Sequence, residues 1–251
     1  MTWILGLLLA LGLSFTAQAE KFTIAAASDL RYALDDILEG YKAEHPDQQV
    51  EVIYGSSGKM TTQIINGAPY DVFFSADIAF PEKLKEEGLT ATEPEVYAIG
   101  RIVLWSKTQD ASRLTLADLT RDDIKRIAIA QPAHAPYGAR AQEAMTAVGV
   151  WEQVQNKLVF GENIAHTAQM VASEAADVGI IALSLALFPD LASHGHYLID
   201  DQLHQPLTQG YVVTKRAEHN EAARGFARYM ATAPAHAIME KYGFLLPDQQ
   251  R

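Results

Sequence analysis

The chain has 251 residues, with 20 Lys+Arg against 31 Asp+Glu, a formal net charge of −11 at pH 7 and no cysteine. An apolar fraction of 49% belongs to a chain with a globular core and excludes a disordered one. The acidic balance argues against non-specific nucleic-acid binding, and the missing cysteine excludes disulfides, thiolate metal sites and a cysteine nucleophile. The same balance argues, at first sight, against an anionic ligand.

In chain order, the first predicted element is an apolar run over 4–15 that ends in Ala17-Gln18-Ala19. It is shorter than the roughly 20 residues of a membrane-spanning helix and has the small-x-small cleavage site of a signal peptide. Its n-region carries no Lys or Arg. Residues 1–19 are therefore expected to be removed on export, and a soluble, extracytoplasmic protein is expected, periplasmic in a Gram-negative cell. With no cysteine after the cleavage site, no lipid anchor is expected.

A buried strand is predicted over 22–27, then a helix with Leu30, Ala33, Leu34, Ile37, Leu38 and Tyr41 at helical spacing. A second strand over 49–54, a helix over 58–66, a third strand over 71–74 and a helix over 81–87 complete a βαβαβα unit, which implies a parallel sheet with helices on both faces. A longer strand is predicted over 97–105. A second α/β set follows, with strands over 127–130, 158–160 and 178–183 and helices over 139–148 and 165–175. A strand over 211–213 and helices over 220–232 and 234–242 close the chain. Pro234 suits a first helical turn and Gly243 a C-terminal stop. The final helices have no sheet of their own and are expected to return to the first unit. The prediction is an α/β protein of two lobes, each a mostly parallel sheet flanked by helices, with a hinge of crossing strands. Residues 20–99 and 206–251 form lobe I, and residues 100–205 form lobe II.

Ligands in open α/β sheets bind beyond the carboxyl ends of the strands. Four strand-to-helix turns stand out there: Ala27-Ser28-Asp29-Leu30, Tyr54-Gly55-Ser56-Ser57-Gly58-Lys59, Pro132-Ala133-His134-Ala135-Pro136-Tyr137-Gly138 and Gly161-Glu162-Asn163-Ile164. Helix capping alone would explain each serine. Converging on one cleft, four helix N-termini would make an anion site without any Lys or Arg.

Enzyme motifs are missing. Gly58-Lys59 lacks P-loop spacing, no GxSxG surrounds any serine, and Ser56-Ser57-Gly58-Lys59 has no accompanying SDN or KTG. His194 and His196 flank Gly195 in a predicted surface loop, with no third ligand placed beside them.

Together, AAASDL (25–30), YGSSGKMTTQIINGAPYDVFFSAD (54–77), AIAQPAHAPYGARAQEAM (128–145), FGENI (160–164), VGIIALSLA (178–186) and KYGF (241–244) resemble the periplasmic molybdate-binding proteins of ABC transporters. The resemblance covers the whole mature chain and implies the two-lobed periplasmic binding protein fold. It also implies oxyanion contacts from Ser28, Ser57, the Tyr137 amide and the Ile164 amide. A family tyrosine hydroxyl falls on Ala182, which has none; Tyr137 or Ser184 is a candidate replacement donor.

The resemblance implies a non-enzymatic receptor that holds molybdate, and tungstate with it, through Ser28, Ser57, Tyr137 and Ile164. It implies no cofactor, a monomer, and delivery to an inner-membrane ABC permease. Molybdate only accepts hydrogen bonds, so a site of donors suits it. Phosphate carries a proton and wants an acceptor. Asp29 is the one carboxylate placed to serve, and its simpler reading is a helix-start residue pointing away. Sulfate, also acceptor-only, differs in size alone. The rival readings are a sulfate or phosphate receptor, a ferric-ion binder, a serine hydrolase using Ser56 or Ser57 with His134, and an interaction protein with a vestigial cleft.

Overall fold

A computed structural model describes residues 20–247. The predicted signal segment lies outside the described residues. Among the described residues ten strands fall in two sheets. They are β1 Lys21–Ala27, β2 Gln49–Gly55, β3 Val72–Ser75, β4 Glu95–Gly100, β5 Ile102–Trp105, β6 Ile127–Ala130, β7 Leu158–Gly161, β8 Val178–Ala182, β9 His196–Leu198 and β10 Leu207–Val213. The helices are α1 Arg31–Glu44, α2 Ser57–Ile65, α3 Ala79–Glu86, α4 Pro136–Ala147, α5 Trp151–Val154, α6 Ile164–Ala172, α7 Leu183–Ala186, α8 Pro189–Ala192, α9 Glu221–Tyr229 and α10 Ala233–Lys241.

The first sheet has the order β2-β1-β3-β10-β4 and the second β7-β6-β8-β5-β9. Each has a parallel core of three strands, β2-β1-β3 in one and β7-β6-β8 in the other. Each is completed by antiparallel pairings, through β10 and through β5. The strand-helix alternation therefore reads the cores, and the antiparallel additions are strands that come from the crossings between sheets. Each sheet with its helices forms one lobe.

Alternation along β1 shows why helices cover both faces of the first sheet. Phe22, Ile24 and Ala26 belong to a cluster with Leu34, Ile37, Tyr41, Phe226 and Met239. Ala25 points the other way, with Phe73, Val212, Met60 and Leu84. A strand buried on both sides needs apolar residues on both faces, and Ile24 to Ala27 supply them, all buried. The first cluster draws on α1, α9 and α10, so the C-terminal helices do pack on the first sheet. Gly243, at φ 76°, follows α10 in the left-handed region that glycine tolerates without strain.

The strand predicted over 97–105 is two strands. The chain leaves the first sheet at Gly100 and enters the second at Ile102. Periodicity cannot show this break, because the residues on both sides are buried and apolar. At Gly100 a side chain would collide with the Tyr137 hydroxyl and with Gln209 Nε2. Arg101, in between, donates through Nε and Nη2 to the Gly243 carbonyl at 3.3 and 3.1 Å. The return crossing runs from β9 to β10, and β10 is longer than predicted. His196 opens β9 rather than lying in a loop. The His194 ring packs edge-on against Trp105. Among the described residues no group of acidic or histidine side chains is arranged to hold a metal ion.

Candidate functional site

The carboxyl ends of β1 and β2 and the starts of α2, α4 and α6 meet at a small cavity between the lobes. Its lining includes Ser28, Asp29, Ser56, Ser57, Tyr137 and Ile164, with alanine, glycine and proline backbone between them. Among the described residues no Lys or Arg lines it. A wider crevice of about 450 Å³ lies outside, bordered by Arg31, Tyr32, His166 and Phe188. It is open to solvent, and the convergence of helix ends is at the smaller cavity.

None of the three serines caps a helix. Ser56 stands at the N-cap position of α2 and makes no side-chain cap hydrogen bond. The 3-10 turn Ser28–Leu30 and α1 likewise begin without a side-chain cap. Ser57 Oγ instead accepts the Ala76 N–H at 3.0 Å. Ser28 Oγ crosses the cleft: it accepts the Ala165 N–H at 3.1 Å and donates to Asn163 Oδ1 at 3.0 Å. Capping therefore does not account for Ser28 and Ser57, and both are almost fully buried.

Helices α2, α4 and α6 aim their N-termini at the cavity. Pro136 begins α4 without an N–H to satisfy. The Gly138 and Ala139 amides return to the Ala135 carbonyl, and the Ala165 and His166 amides go to Ser28 and Asn163. Among the described residues, the amides of Ser57, Tyr137 and Ile164 have no protein acceptor. Unpaired first-turn N–H groups at the positive end of the helix dipole are the elements of an anion site.

Asp29 does not point away from the cavity as the simpler reading has it; it is in the lining. It is 1% exposed. Its Oδ2 accepts from the Tyr137 hydroxyl at 3.0 Å and from Gln209 Nε2 at 2.7 Å. Gln209 Oε1 in turn accepts from the Tyr97 hydroxyl at 2.6 Å. Oδ1 receives no well-formed hydrogen bond, although the Asp29 and Leu30 amides lie close enough to favour the charge. Burial outweighs these donors and pushes the carboxyl up to about 6. The network was illegible in the sequence because Tyr137 and Gln209 lie 108 and 180 positions away.

The candidate replacement donors are both committed. The Tyr137 hydroxyl is held by Asp29. The Ser184 hydroxyl donates to the Asp29 carbonyl at 2.8 Å, and Ser184 does not line the cavity. Ala182 is fully buried at the end of β8, also outside the lining. Ser28, Ser57, Tyr137 and Ile164 are brought together, and Ala182 and Ser184 are not among them. Asn163 was missed: its residue type signals the N-cap of α6, but nothing in the sequence signals its bond to Ser28.

The lobes are clasped around this cavity. Lys59 pairs with Glu162 at 2.7 Å and Arg140 with Asp77 at 2.9 Å. Tyr32 stacks on Phe188 with ring centroids 3.6 Å apart. Ser56 Oγ lies 3.0 Å from His134 Nδ1.

The family model for bacterial extracellular solute-binding proteins matches residues 22–245. The chain belongs to that family. A molybdate-binding protein, ModA, of Rhodobacter capsulatus is 33% identical over 241 residues, covering 95% of this chain and 94% of the relative. The solved periplasmic molybdate-binding protein of Azotobacter vinelandii superposes with a TM-score of 0.84 at 32% identity, covering 90% of this chain and 99% of that one. The sulfate-binding protein SubI of Mycobacterium tuberculosis superposes with a TM-score of 0.77 at 14% identity, a likeness of fold. In this solute-binding protein the interlobe cavity is thus the place to look for the solute.

Proposed function

We propose that this solute-binding protein is a periplasmic receptor for molybdate that closes its lobes on the anion and hands it to an ABC permease. The observation that carries the reading is the convergence of three unpaired helix amides, at Ser57, Tyr137 and Ile164, on a cavity with no cationic side chain. Ser57 adds a hydroxyl whose oxygen is fixed by Ala76 and whose proton has no protein acceptor among the described residues. Such donors suit a dianion that accepts at every oxygen. The relatives named for molybdate binding support the choice of ion. Tungstate, of nearly equal size and the same chemistry, fits the same donors. The apolar leader with its Ala-Gln-Ala site supports export. The protein works as a monomer without a cofactor, and Ser28, Ser57, Tyr137 and Ile164 bind the ligand.

Thermal unfolding with added anions tests this. At a concentration near a hundred times Kd, a ligand stabilises by about 2.7 kcal/mol, roughly 5–10 °C for a chain of this size. Molybdate and tungstate should produce such a rise, with sulfate and phosphate behind. No rise with any oxyanion would remove the reading and leave an interaction protein.

The Ser56–His134 pair favours one second reading, a serine hydrolase. Among the described residues no carboxylate hydrogen-bonds His134 to orient it as a base. Treatment with a fluorophosphonate probe should leave the protein unlabelled; labelling at Ser56 would favour the hydrolase.

A further inference from the structure

Ser28 and Asn163 form a small closed ring across the cleft. Asn163 Oδ1 accepts the His166 N–H at 2.9 Å, which caps α6, and accepts the Ser28 hydroxyl proton at 3.0 Å. Ser28 Oγ accepts the Ala165 N–H at 3.1 Å. The proton that an anion would take from Ser28 is therefore already held by the opposite lobe. Asn163 does not itself line the cavity.

We propose that Asn163 is a positioning residue that competes with the anion for the Ser28 proton and thereby sets the threshold an acceptor must pass to be bound. This rests on the receptor reading above. When the Ser28 hydroxyl turns to an anion, Oγ keeps the Ala165 amide and Asn163 keeps its cap on His166. Only the Ser28–Asn163 bond is exchanged. A neutral acceptor replaces it with a bond of like strength and gains nothing. A dianion replaces it with a charge-assisted bond, roughly twice as strong. The Ser28–Asn163 bond thus stabilises closure without the anion and not with it.

The test is a double-mutant cycle on Ser28→Ala and Asn163→Ser, with molybdate binding measured by calorimetry. Serine at 163 keeps an N-cap oxygen on a side chain too short to reach Ser28. Loss of one neutral hydrogen bond from the competing arrangement should tighten molybdate binding about three- to tenfold. The same change in the Ser28→Ala background should have no effect. Weaker or unchanged binding in Asn163→Ser, or an equal effect in both backgrounds, overturns the proposal. Asn163→Gly, nearly as good a cap, serves if the serine variant fails to fold. If the unaltered protein binds no molybdate, the receptor reading fails, and X-ray scattering of protein without added anion decides this one. Asn163→Ser and Ser28→Ala should then each raise the radius of gyration, with no further rise in the double variant. An unchanged radius overturns it.

Discussion

The Ser57 hydroxyl oxygen accepts the Ala76 backbone N–H at 3.0 Å, which fixes the oxygen and leaves its proton free for a ligand. Both residues are almost fully buried. Ser57→Ala removes the donor and leaves the Ala76 amide unpaired. Molybdate binding should weaken by about 1–3 kcal/mol, and folding stability should fall by roughly 1–3 kcal/mol. Calorimetry and urea denaturation separate the two losses. Normal binding in a Ser28→Ala, Ser57→Ala double variant would show that the site lies elsewhere.

Gly138 lets α4 start directly against β6. A Cβ there would collide with the Ala130 carbonyl oxygen and lie 2.6 Å from its carbon. Backbone cannot swing aside as a side-chain tip can, so Gly138→Ala should cost about 1–3 kcal/mol of stability through overpacking. It should also move the neighbouring Tyr137 amide and weaken anion binding. A variant that binds and melts like the parent would place the α4 start outside the site.

Asp29 makes stability depend on pH. Its carboxyl is raised from 3.8 to about 6, chiefly by burial. A raised folded-state value means a contribution fully present below the unfolded value and lost as pH rises through about 6. Asp29→Asn removes that titration. The stability of Asp29→Asn relative to the parent should therefore rise by about 1–1.5 kcal/mol between pH 5 and pH 8. Denaturation at the two pH values reads it, and a constant difference would show that Asp29 is ionised freely in the fold.

The strand ends were legible because buried runs such as Phe22-Thr23-Ile24-Ala25-Ala26-Ala27 and small polar turns after them are local signals. Ser28 and Ser57 stood out on that basis. What Ser28 touches did not, because Asn163 lies 135 positions away. Asp29 reads as a helix-start residue pointing away for the same reason, since only the folded chain brings Tyr137 and Gln209 to it. The break at Arg101 was hidden by apolar residues on both sides. The net charge of −11 does not exclude an anionic ligand, because helix amides and hydroxyls hold an anion without entering the count of Lys and Arg.

Isothermal titration of the protein with molybdate, tungstate, sulfate and phosphate at one pH and ionic strength measures the central claim. Amide and hydroxyl donors at Ser57, Tyr137 and Ile164 favour a dianion that accepts at every oxygen. Molybdate and tungstate should bind with similar affinity and more tightly than either of the others. Preferential binding of sulfate or phosphate, or no binding of molybdate, would contradict the account.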